Sequence, residues 1–118
     1  MYNPGIKTFT ATEALEAARR VKLTSGSGTH VEYADDSDDY IGVTKKKAAI
    51  LGSIPVALKR AYPGSVEITA SASITAGATI YGADDGKVSE VSSSTDKYGK
   101  ALEAASGDGA IIESVMDD

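Results

Sequence analysis

FTATEALEAARRVKLTSGSGTHVEYADDSDDYIGVT, running from Phe9 to Thr44, changes its periodicity several times within a few turns of chain. Thr10 and Glu13 have the spacing of a capping box, in which hydroxyl and carboxylate each satisfy a free backbone N–H. Ala14, Leu15, Ala17 and Ala18 follow and favour helix, so one or two helical turns are expected here. The segment RRVKLT then alternates. Val21 and Leu23 point one way, and Arg20, Lys22 and Thr24 the other, as in a half-buried strand. Ser25-Gly26-Ser27-Gly28 supplies a turn. Val31 and Tyr33 oppose His30 and Glu32, so the two strands are expected to pair as a hairpin with one apolar face. The acidic run Asp35 to Asp39 breaks the pattern, and Tyr40-Ile41-Gly42-Val43 opens another strand.

The same punctuation continues outward. Asn3-Pro4-Gly5 resists regular structure, so residues 1–8 read as an N-terminal arm and 9–118 as a single β-rich domain. Ile6 to Thr10 could form a short edge strand. Lys45-Lys46-Lys47 and Gly52-Ser53 frame a loop. Ile54, Val56 and Leu58 alternate, with Pro55 pointing to an edge strand. After Tyr62-Pro63-Gly64, alternation resumes over Val66 to Ala70 and again from Ala78 to Tyr81. Ala83-Asp84-Asp85-Gly86 is a hairpin turn with Gly86 suited to the left-handed region. Lys87 to Val91, Lys100 to Ala104 and Ala110 to Met116 complete the series, with Ser92 to Asp96 as a polar loop. Short strands at such spacing predict an all-β fold, a small β-barrel or sandwich with one short helix near the N-terminus. The strands around 21–33 and 79–91 also match at an offset of about 58 residues. Either an internal duplication or the mutual likeness of Gly-turn hairpins accounts for that.

Three of these pieces stand in a familiar order: ALEAARRVKL with a Gly-rich turn, an acidic turn and IGVT; ITAGATIYGADDGKVS from Ile74 to Ser89; and GKALEAASGDGAIIESV from Gly99 to Val115. The series, spanning about Phe9 to Val115, resembles the small capsid cement (head decoration) proteins of tailed phages. The resemblance implies a non-enzymatic virion structural protein that binds the outer surface of an assembled capsid and stabilises it. It also implies the major capsid protein as partner, self-association as a homotrimer on the shell (a dimer being the other option), and synthesis in the host cytoplasm.

Composition bounds the alternatives. At 118 residues the chain is one domain. Its hydrophobic share of 42% is rich in alanine, with one Phe and no Trp. Such side chains bury little area each, which favours an oligomer or a partner-covered face. No cysteine is present to staple the fold. A net charge of −5 argues against nucleic acid as a partner. No apolar run approaches the roughly 20 residues of a membrane span, and MYNPGIKTFT lacks the layout of a secretion signal. A soluble protein with no membrane partner is expected.

Few residues are suited to chemistry. His30 is the single histidine, so neither a catalytic triad nor a zinc ligand set can be assembled from the usual residues. Asp35, Asp36, Asp38 and Asp39 form the best calcium candidate, but they lack the EF-hand Gly and Glu and read as a solvated acidic turn. No catalytic residue, cofactor or metal is expected. The partner-binding candidates are Tyr2, Pro4, Ile6 and Phe9 in the arm and Lys45, Lys46 and Lys47 in the loop. The aromatics would act as anchors that order on binding; alternatively, the arm is frayed and Phe9 belongs to the core. A rival function is a small-molecule or carbohydrate-binding β-barrel module. Such a module usually carries aromatic platforms, whereas the six tyrosines here are scattered.

Overall fold

A computed structural model describes residues 5–36, 38–62, 64–91 and 97–116. The first half of the chain forms β1 (Ile6–Ala11), β2 (Arg20–Leu23), β3 (His30–Tyr33), β4 (Gly42–Thr44) and β5 (Ser53–Leu58). These close a barrel in the order β1-β3-β2-β4-β5, with β5 pairing back onto β1. The hairpin read from alternation has the register Val21↔Tyr33, Lys22↔Glu32 and Leu23↔Val31. Phe9, Ala11, Leu15, Val21, Val31, Ile54 and Val56 fill the barrel interior, leaving no room there for a ligand.

Two expectations need correction. No helix forms between Thr10 and Ala18: Thr10 belongs to β1, and the Thr10 N–H donates to the Thr29 carbonyl. Leu15 pairs with Ala48 through both its N–H and its carbonyl, and Glu13 accepts from the Tyr33 N–H. Local alanine propensity is worth tenths of a kcal/mol per residue, less than the long-range pairing that replaces it. The strands β1 and β5 are also not edges. Barrel closure gives each a neighbour on both sides. Pro55 is tolerated because its nitrogen and carbonyl point toward β4, which ends at Thr44; the carbonyl there accepts from the Lys45 N–H.

The second half contributes β6 (Val66–Thr69), β7 (Thr79–Gly82), β8 (Val88–Ser89), β9 (Lys97–Ala101) and β10 (Ile111–Met116). Among the described residues the single helical piece is a 3-10 turn, Asp84–Gly86, between β7 and β8. Gly86 there has φ +74, the left-handed conformation expected of it. The fourth strand of this half sits earlier than its spacing predicts, at Lys97–Ala101 in place of Lys100 to Ala104. Ser92 to Asp96 lies outside the described residues, as do Ser37 and Pro63.

The order β6-β10-β9-β7-β8, with a parallel bridge from Ala70 to Val88, repeats the ring of the first half strand for strand. Loop contacts repeat too. Leu15–Ala48 corresponds to Ile74–Ala105, and Leu51 N–H to Ala11 carbonyl corresponds to Gly109 N–H to Ala70 carbonyl. The sequence match near 58 residues therefore marks two copies of one topology. The halves share a core. Val43 and Ala57, neighbours on β4 and β5, pack with Ala34 and Tyr40 against Val66, Ile68, Ile80, Tyr98 and Ile112.

Candidate functional site

The arm and the lysine loop, far apart in sequence, meet at Tyr62. At the root of the arm, a Cβ on Gly5 would lie 2.5 Å from the Tyr62 nitrogen, and the Gly5 carbonyl accepts from the Leu58 N–H. From the other side, Lys45 Nζ sits 5.0 Å from the centre of the Tyr62 ring and 3.4 Å from its hydroxyl. Lys46 and Lys47 are exposed and make no ion pair among the described residues. Within the arm, Ile6 is half-buried and Phe9 is buried in the barrel, with Lys7 Nζ 5.4 Å from its ring centre. β1 begins at Ile6, inside the segment read as arm. Tyr2 and Pro4 lie outside the described residues.

Charge gathers around this corner. Residues 40–66 hold five of the twelve basic residues and none of the seventeen acidic ones. Sequence reading missed Ile50 and Leu51 in the same loop, which are 64% and 69% exposed. Two large aliphatics inside a loop framed by lysines and glycine were the available signal.

The acidic turns serve the fold. Asp35 Oδ1 accepts from the Asp85 N–H at 3.1 Å, and Asp84 Oδ1 from the Asp36 N–H at 3.2 Å, tying the two halves together across their turns. Asp39 pairs with Lys59 at 2.6 Å. A polar cleft of ≈ 350 Å³ beside this junction is lined by Asp36, Asp84, Asp85, Lys87, Ser71 and Ser89, among others, and holds no aromatic platform for a sugar. His30 sits at the β2–β3 turn with Nδ1 2.9 Å from Thr29 Oγ1.

Lys22 and Asp38 make a testable pair at 3.0 Å. The Asp35 N–H and then Lys22 hold the Asp38 carboxyl below the usual carboxylate range, while the bond to Asp38 raises Lys22. The depressed carboxyl contributes stability above its unfolded pKa and loses it as pH falls through the folded value. The raised ammonium contributes below its unfolded value near 10.5 and loses it as pH rises further. Asp38→Asn is expected to cost about 0.2–1 kcal/mol at neutral pH, because the pair is partly exposed, and nothing at pH values where both carboxyls are protonated. Urea unfolding across that range checks it; a cost that persists in acid contradicts it.

Comparison with known proteins agrees with this picture of a scaffold without a catalytic centre. A family model described as phage cement protein matches residues 3–115. Among solved structures, the N base of the head fiber gp8.5 of bacteriophage phi29 superposes with a TM-score of 0.74 at 21% identity, covering 95% of this chain and 92% of that one. At that identity the likeness speaks to the fold alone. No curated protein matches the sequence. The chain belongs to the phage cement protein family, and it is a structural component of the phage virion, not an enzyme.

Proposed function

We propose that the protein binds the outer surface of the assembled phage head, engages the major capsid protein through its arm and lysine loop, and stabilises the shell. The observation that carries this is the convergence of both candidate segments on Tyr62, at the corner where positive charge collects on an acidic chain. A ligand that binds the expanded shell and not its precursor favours the expanded state by mass action. A homotrimer on the shell multiplies weak individual contacts, since the second and third engagements are intramolecular. Exposed Leu102 and Ile111 on the second half offer apolar surface for contacts between copies.

Deleting Met1 to Gly5 tests the arm. Binding to expanded heads stripped of the protein is expected to weaken tenfold or more, about 1.4 kcal/mol per site, with the melting temperature little changed because β1 begins at Ile6. Cryo-electron microscopy of the decorated particles reads copy number and symmetry at each site. Equal occupancy of both proteins at limiting concentration removes the arm from the interface, and isolated single copies remove the trimer.

A further inference from the structure

Two copies of one loop, built on the same backbone hydrogen bonds, permit an internal comparison. In the first half Leu51 N–H donates to Ala11 at 2.7 Å, and Gly52 N–H to Ala49 at 2.9 Å; in the second, Gly109 donates to Ala70 at 2.8 Å, and Ala110 to Gly107 at 3.2 Å. The second copy does this work with Ser106, Gly107, Asp108 and Gly109, and Asp108 turns back to Lys87 at 2.8 Å. Gly109 takes φ +89 there without a Cβ to clash. The first copy places Leu51 in the same left-handed region, at φ +64, with Ile50 beside it in place of the aspartate. A leucine in that region is strained, and neither side chain gains burial in return. Folding therefore does not require the apolar tip, because the other half makes the same turn without one. Strain kept at an exposed position points to a role outside the fold.

Resting on the proposed shell binding, we infer that Ile50 and Leu51 form an apolar plug, flanked by Lys46 and Lys47, that enters a depression on the assembled shell rimmed by carboxylates. Charge complementarity selects that partner: the basic stretch 40–66 lies within a chain of net charge −5, and rim lysines steer and orient while the buried aliphatics hold. A second copy of this chain is the competing occupant, since Glu67 and Glu113 face each other across β6 and β10.

Leu51→Gly separates the two kinds of role. It relieves the left-handed strain, so the melting temperature is expected not to fall, while affinity for stripped expanded heads falls tenfold or more. Ile50→Ser is expected to weaken binding in the same direction, and Lys46→Gln with Lys47→Gln to flatten its salt dependence. If wild-type protein does not bind stripped heads, the shell-binding reading itself fails. If wild type binds and Leu51→Gly binds equally at limiting concentration, the plug is overturned and the shell reading stands. If Leu51→Gly abolishes self-association in sedimentation while each protomer keeps its shell affinity, the loop belongs to a second copy and the inference is likewise overturned.

Discussion

Replacing Arg20 with methionine is expected to lower stability by about 3–5 kcal/mol, the range for removing one member of a buried charge-assisted network. Arg20 is 0% exposed on β2 of the first half. Nε donates to the Lys87 carbonyl at 3.0 Å, and Nη2 donates to the carbonyls of Ala83 at 2.7 Å and of Ala34 and Asp35 at 3.1 Å each. The guanidinium carbon stands 5.6 Å from the centre of the Tyr40 ring. Methionine matches much of the volume but donates nothing, so several inward carbonyls lose their donor, each at about 1–3 kcal/mol before water or relaxation intervenes. Ala83 and Lys87 flank the 3-10 turn of the second half, so this one side chain fastens the two repeats together. The chain has shaped itself around it: a Cβ on Gly82 would come within 2.7 Å of Nη2. Lysine keeps the charge but offers one compact ammonium to carbonyls from separate segments, and is expected to recover only part of the loss. Urea denaturation of Arg20→Met and Arg20→Lys checks both; a loss below 1 kcal/mol for methionine would falsify the clamp.

Tyr98→Ala is expected to cost a similar amount, about 3–5 kcal/mol, while Tyr98→Phe costs about 0.5–1.5 kcal/mol. The ring is fully buried in the shared core and stacks on Tyr40 with centroids 5.5 Å apart. These tyrosines occupy like places in the two halves, one leading into β4 and the other at the start of β9. Truncation to alanine removes the stacked pair and opens a void between the repeats. Phenylalanine keeps the packing and removes only the hydroxyl. That hydroxyl donates to Ser114 Oγ at 2.8 Å, which in turn donates to the Val66 carbonyl at 2.9 Å. Burial pushes the phenol far above its ordinary value of 10. As pH rises past 10 the unfolded chain ionises while the folded protein does not, so stability falls. Tyr98→Phe is expected to soften that alkaline decline, read from denaturant midpoints between pH 9 and 11. An alanine variant with a loss comparable to that of phenylalanine would show that the ring contributes little.

Alternation and turn chemistry are local, and what depends on them was legible without the structure. The 21–33 hairpin and its register, the Asp84–Gly86 turn, and the strands at 66–69 and 111–116 all follow from side chains reporting which face they prefer. The lysine loop was legible as charge. What alternation cannot say is what lies against the other face. Arg20 sits opposite Val21, so its pattern reads as solvent-facing; it does point out of the barrel, but the outside of this barrel is covered by the second repeat. Val43 and Ala57 are buried for the same reason. Pro55 and the alanines at 14–18 misled because their preferences are worth less than closing a barrel, where each strand gains a second partner. The strain at Leu51 was invisible in composition. A residue's backbone angle is set by the contacts that pin its neighbours, here the bonds of Leu51 and Gly52 to Ala11 and Ala49, and only the tertiary structure supplies them.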